Sequence, residues 1–233
     1  MVTFIDYRTT KTEKNSLSKL NIDFIEVPKN PILYDAIDGH VDIQLNIIDK
    51  KEKKIIIHKD MNNSFIQKLK LYNINYIKSF NSLTEKYPGD IILNAAILDD
   101  DIIHNFKYTD KNLISCMTHK NFINIKQGYS KCSILPVRKK AIITNDKGIY
   151  DTLKNNDYDI LLLPPGDILL PNLNYGFIGG VGGKISENSL AFFGNLDYYK
   201  YGKEVKDFLS KYDIKPVYLR EGKLIDRGSL ICL

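Results

Sequence analysis

Apolar and polar residues alternate along this chain in short bursts, and the bursts recur in a fixed order. HVDIQLNIID is followed by a charged break and then KKIIIHK, two strand-length runs joined by a turn. A helical stretch comes next, over 63–71, and then a third strand, NYIKSF. The same order returns as DIILNAAILDD, IIHNFKY, a helix over 110–120 and NFINIKQ, and again as KCSILPVRKK, AIITND, a helix over 148–155 and DILLLPP. A fourth copy takes GFIGGVGGKI, SLAFFGN, a helix over 202–212 and KPVYLR. Within that helix Val205, Phe208, Leu209 and Tyr212 share one face. The fifth copy is split: GSLICL at the C-terminus needs partners, and the N-terminal VTFIDY, a helix and DFIEVP supply them.

Gly39, Gly89, Gly128, Gly176 and Gly222 each precede the first strand of a copy, at a period suited to a repeat array or propeller. A split last copy is what a ring requires, because sewing both chain ends into one blade leaves no terminal edge strand exposed. The expected fold is a single α/β domain over 1–233, a five-bladed α/β propeller of ββαβ units whose last blade is closed by the N-terminal segment. The rival is an ordinary α/β sandwich with strands in this order. Five copies and complementary ends favour the ring.

Composition removes several function classes. No Gly/Ser or Pro-rich linker interrupts the apolar runs, so no second domain is expected. The net charge of +5 is spread along the chain, too mild and too diffuse for a nucleic-acid partner. The densest basic run, Lys50 to Lys54, falls where a hairpin turn belongs. The first residues carry charge and no long apolar core, so neither a secretion signal nor a membrane span is expected and a cytoplasmic location follows. Three cysteines without a CxxC pair argue against a disulfide framework or structural zinc. No metal or cofactor is expected.

In a closed ring the first strands line the axis, so residues at their starts converge on one mouth. Asp38-Gly39-His40-Val41-Asp42 places two carboxylates around a histidine. Read as a strand, it projects His40 and Asp42 from one face. Gln127-Gly128-Tyr129-Ser130-Lys131-Cys132-Ser133 puts a cysteine at another such start, next to a cation that favours a thiolate, with the histidine of a different blade as its proton partner. Cys116, in a helix, reads as an inert thiol, and Cys232 as core filling on the last strand. His58, His104 and His119 lie away from the first-strand starts and read as satisfied or surface histidines.

These residues resemble the pentein superfamily of guanidino-group-modifying enzymes. Gly39-His40-Val41-Asp42 resembles the GHxD motif of agmatine and arginine deiminases, which implies a general acid/base role for His40 with Asp42 as its partner. GYSKCSIL, residues 128–135, is similar to the stretch carrying the nucleophilic cysteine of dimethylarginine dimethylaminohydrolases, and DIILNAA with Asn94 resembles the blade between those motifs. Asp226 in IDRGSL falls where the family places a substrate-gripping acid, and with Asn94 and Asp38 it completes the substrate-binding set. The HxDIQL and GYxKCS patterns resemble a bacterial branch more closely than the known enzymes, and the unit order implies a circular permutation. One departure stands out: the blade expected to carry a second substrate-binding aspartate reads YGFIGGVGG, with glycine at that position.

The resemblance implies that Cys132 attacks an amidine or guanidine carbon while His40 protonates the departing amine, giving a hydrolase or an amidinotransferase on a small guanidino, amidino or ureido compound. The alternative is a non-catalytic binding module, since the ribosomal-subunit anti-association factor uses the same ring. The glycines of 179–183 would then form a contact surface or a close backbone approach to a ligand, against the plain alternative of tight blade packing.

Overall fold

In a computed structural model describing residues 1–233, the apolar runs fold into five separate three-stranded sheets. The chain begins with β1 (Val2–Asp6), α1 (Lys11–Lys19) and β2 (Asp23–Val27). The next unit contains a single helical turn, α2 (Val41–Gln44), then β3 (Leu45–Asp49), β4 (Lys54–Ile57), α3 (Asn63–Leu71) and β5 (Asn75–Lys78). It is followed by β6 (Ala96–Ile97), β7 (Asp101–His104), α4 (Lys111–Cys116) and β8 (Asn121–Asn124). A second helical turn, α5 (Ser130–Ser133), leads into β9 (Ile134–Arg138), β10 (Ala141–Thr144), α6 (Lys147–Lys154) and β11 (Asp159–Leu162). A 3-10 turn at Ile178–Val181 precedes β12 (Gly182–Ser186), β13 (Ser189–Phe192), α7 (Gly202–Lys211) and β14 (Lys215–Tyr218), and β15 (Ile231–Cys232) ends the chain.

In each of the four complete units the first two strands pair antiparallel across a hairpin and the last two pair parallel across the helix. A parallel pair needs a crossover, and the amphipathic helix is that crossover. The fifth sheet joins the two chain ends. β1 pairs antiparallel with β15, Thr3 opposite Cys232 and Phe4 opposite Ile231, and parallel with β2.

The core is not one mass but five clusters, each centred on two consecutive units. Val41 and Leu45 pack with Phe4 and Val27, Ile43 and Ile56 with Leu93 and Ile102, and Ala96 and Ile103 with Ile134 and Ile142. Leu135 and Ile143 pack with Val181 and Leu190, and Ala191 and Phe193 return to Ile5 and Leu230. The succession closes on itself, which is the expected ring of five blades.

Local chemistry explains the boundaries. Thr10 and Glu13 form a reciprocal capping box on α1, and Asn62, Asp110 and Asp146 accept a backbone N–H at the starts of α3, α4 and α6. The basic run is the hairpin turn between β3 and β4, where Asp49 accepts the N–H groups of Lys51 and Glu52.

The expected inner strands begin later than their alternation suggests. Val41–Gln44, Ser130–Ser133 and Ile178–Val181 are helical turns, and DIILNAAILDD yields two strand residues. His40 to Leu45 are all buried, so alternation no longer distinguishes a core face from a solvent face there. The backbone at the axis is satisfied without a ladder: Asp42 N–H reaches Gly228 O, and Leu45 N–H closes the turn onto Val41 O. No helix is long and apolar enough to cross a membrane.

Candidate active site

The turns that precede β3 and β9 deliver their side chains to one buried point. Cys132 Sγ donates to Asp42 Oδ1 at 3.2 Å. A ring nitrogen of His40, an oxygen of Asp42 and the sulfur of Cys132 all lie within 4.8 Å of one another. His40 is the residue before α2, with extended backbone, so it and Asp42 converge through the end of a helical turn rather than by strand alternation. Both His40 ring nitrogens lack a hydrogen-bond partner.

Asn94, from the loop before β6, holds the thiol from the other side. Its Nδ2 donates to Cys132 Sγ at 3.2 Å and to Asp42 O at 2.9 Å, and its Oδ1 accepts from Lys131 N at 2.9 Å. Asn94 therefore fixes the turn carrying the sulfur relative to the turn carrying the carboxylate. Asp42 and Asn94 thus hold the thiol from two sides.

Asp226 approaches from the segment before β15. Its Oδ2 accepts from Phe177 N at 2.8 Å, its Oδ1 accepts from Gly228 N at 2.9 Å, and His40 Nε2 stands 3.9 Å away. One glycine of the run 179–183 has a physical reason here. A Cβ on Gly180 would collide with the Asp226 carboxylate, so that acid fills the space a side chain would use. Gly228, at φ 66°, occupies the left-handed region while its backbone abuts His40.

Asp38 is buried but stands apart from this cluster. Tyr7 Oη donates to it at 3.1 Å, and Arg8 and Lys29 flank it at 3.5 and 3.1 Å. The other predicted bystanders are equally placed. His104 bonds Thr109 and Gly128 O, His58 is buried behind β4, His119 is exposed, Cys116 ends α4, and Cys232 sits in β15 beside Thr3. The glycine run 179–183 lies inside the ring, Gly179 against the backbone carbonyls of Lys131 and Cys132, so it serves tight packing between blades and is not an exposed surface.

Burial dominates the electrostatics. It pushes the Cys132 thiol well up, aided by Asp42 and Asp226, and the Asn94 hydrogen bond only partly opposes this. It lowers His40 to about 4 against the pull of Asp42, and raises Asp226 to about 7 with help from Asp42. The thiolate favoured by a neighbouring lysine is therefore not the resting state: near neutral pH the site holds a thiol and an uncharged imidazole.

Two features escaped the sequence. Ser229 Oγ donates to Asp42 Oδ2 at 2.6 Å and accepts from Lys131 Nζ at 2.9 Å; a serine in IDRGSL carries no chemical mark. Tyr129 stacks on Phe177 and donates to Asp90, and both rings pack against the apolar cluster that holds Cys132. These rings border the thiol, and only their alignment in space reveals it.

The fold is that of the pentein superfamily. The saxitoxin-pathway amidinotransferase SxtG of Microseira wollei superposes with a TM-score of 0.58 at 10% identity, over 93% of this chain and 87% of that one. Agmatine deiminase of Campylobacter jejuni gives 0.54 at 13% identity, over 94% and 74%. Dimethylarginine dimethylaminohydrolase of Pseudomonas aeruginosa, complexed with citrulline, gives 0.52 at 8% identity, over 92% and 82%. The sequence itself belongs to a family of unknown function (DUF6873), which matches residues 4–231. No curated protein matches the chain.

Proposed function

We propose that this protein is a cysteine-dependent enzyme of the cytoplasm acting on the C–N bond of a small guanidino or amidino compound. One observation carries the reading: a thiol from one unit and a carboxylate and an unpartnered imidazole from another lie within 4.8 Å of one another. The fold shared with an amidinotransferase and a deiminase supports it.

The site's charge supports the following order of events. Uncharged His40 takes the proton as Cys132 sulfur bonds to the amidine carbon, and the imidazolium then gives that proton to the departing nitrogen as the C–N bond breaks. Asp42 stabilises the imidazolium. In this reading Asp226 accepts substrate N–H groups and is ionised by the arrival of a cation, and that same cation offsets the carboxylates that oppose a thiolate. Water resolving the adduct makes a hydrolase, and an amine makes an amidinotransferase.

Labelling with 2-chloroacetamidine tests the proposal. Modification of Cys132 is expected to be saturable and far faster than that of free cysteine, to vanish in Cys132→Ala and to persist in Cys116→Ala. A panel of guanidino and ureido compounds, assayed for ammonia or amine release with His40→Ala as the blank, then finds the substrate. The second reading, a binding module, rests on closure: His40 and Cys132 are 1% and 3% exposed. Unsaturable labelling at the rate of free cysteine favours it.

A further inference from the structure

Lys131 precedes Cys132 in the chain, yet its charge reaches the site by a different route. Its Nζ donates to Ser229 Oγ at 2.9 Å, and Ser229 Oγ lies 2.6 Å from Asp42 Oδ2 as donor. The other oxygen of Asp42 accepts the thiol at 3.2 Å. A single hydroxyl thus links an ammonium to the carboxylate that holds the nucleophile. Ser229 is kept at φ 70° to do so, a left-handed conformation uncommon for a residue with a Cβ. Its hydroxyl lies 2.9 Å from Gly179 O as well, and the shorter contact is the one to Asp42.

The remaining charged groups around the thiol are already committed or of the wrong sign. Asp42 faces it from α2 and Asp226 from the segment before β15, both opposing a thiolate. His40 is uncharged at rest and Tyr34, from the segment before α2, carries only a hydroxyl. Arg8 is bonded to Asp6 at 2.5 Å and Arg227 to Glu13 at 3.3 Å. Lys131 is the cation left for Asp42.

We propose that Lys131 is a positioning residue of this site, which through Ser229 neutralises Asp42 and so lets Cys132 release its proton beside a carboxylate. The role rests on Cys132 being the nucleophile. Ionisation of Cys132 next to an uncompensated Asp42 would put two negative charges in hydrogen-bond contact in a buried site. With the ammonium linked to Asp42, the same step leaves the group of three with one net negative charge. The lowered affinity of Lys131 for its own proton, caused by burial, sets the upper limit in pH at which this can work.

The test is the pH profile of Cys132 alkylation by iodoacetamide, read by mass spectrometry with Cys116 as internal control. Lys131→Met is expected to move the midpoint up by about one pH unit and to slow labelling about tenfold at a fixed pH below it, while Lys131→Arg restores most of the rate. Should Lys131→Met not fold, Ser229→Ala cuts the same link and moves the midpoint in the same direction. Equal midpoints for wild type, Lys131→Met and Ser229→Ala, all folded by thermal melt, overturn the role. Failure of the proposed function reads differently: 2-chloroacetamidine then shows no saturation in wild type, whereas the iodoacetamide comparison still reports on Lys131.

Discussion

His40 and His104 are both fully enclosed, and burial holds both to about 4. Their surroundings differ. His104 spends both nitrogens inside the protein: Nε2–H donates to Gly128 O at 2.9 Å and Nδ1 pairs with Thr109 Oγ1 at 2.7 Å. His40 has no partner at either nitrogen. The same contrast separates two buried carboxylates. Asp101 accepts from Lys140 Nζ at 2.7 Å, Tyr158 Oη at 2.5 Å and Asn121 Nδ2 at 3.1 Å; burial pushes it up, but those bonds outweigh it and it titrates below its ordinary range. Asp226 has only two backbone N–H donors and rises to about 7. Leaving a buried polar group unpaired costs about 1–3 kcal/mol. His104 and Asp101 are fully partnered inside the ring, whereas His40 and Asp226, beside Cys132, are left short of partners.

The histidine pair offers the sharpest way to break this contrast. His40→Ala is expected to lower turnover about 10²–10⁴-fold with little change in melting temperature. His104→Ala should lower stability and leave turnover per folded molecule intact. Parallel assays and thermal melts on the two variants check this, and equal losses of turnover would erase the distinction.

The acid pair predicts opposite pH behaviour. The unfolded chain ionises Asp226 near 3.8 while the folded chain holds its proton to about 7, so this residue costs stability increasingly as pH rises between those values. The full cost is on the order of 4 kcal/mol. His40, His58 and His104, lowered from 6.5 to about 4, act in the other direction: stability is lost as pH falls below 6.5. Urea denaturation across that range should therefore show Asp226→Asn gaining on wild type as pH rises from about 4 to 7 and then running parallel to it. A constant difference would mean that Asp226 is not raised in the folded state.

The smallest effect belongs to Asp101. Asp101→Asn should destabilise by about 1–3 kcal/mol, because it strips the charged acceptor from Lys140 and Tyr158, without altering the rate at which Cys132 is labelled. A labelling rate that falls with stability would show that this tie between units also shapes the site.

Much of the ring was readable from spacing. Apolar runs and turn residues fixed the five units, and the two half-units at the ends pointed to closure. A further mark went unread: α1, α3, α6 and α7 are each followed by an Asn or Asp in the left-handed conformation, Asn21, Asn73, Asp157 and Asp213. Each is followed by Ile or Tyr at the entrance to the third strand. These residues tolerate that backbone better than other side chains, so the repeat could have been aligned by them. Alternation failed at α2 and α5, since a segment buried all round has no polar face to set the period.

The amino-acid order by itself determined the unit, its count, and the two unit starts that carry His40, Asp42 and Cys132, because helix caps, hairpins and strand periods depend on near neighbours. Tertiary structure alone decided which groups are paired. Asp38 was drawn off to Tyr7 and Arg8, Asp226 was set into the room left by Gly180, and Lys131 was joined to Asp42 by a serine nearly a hundred residues away. Hydrogen bonds and charge balance in a buried site depend on distance in space, and ring closure is what sets those distances.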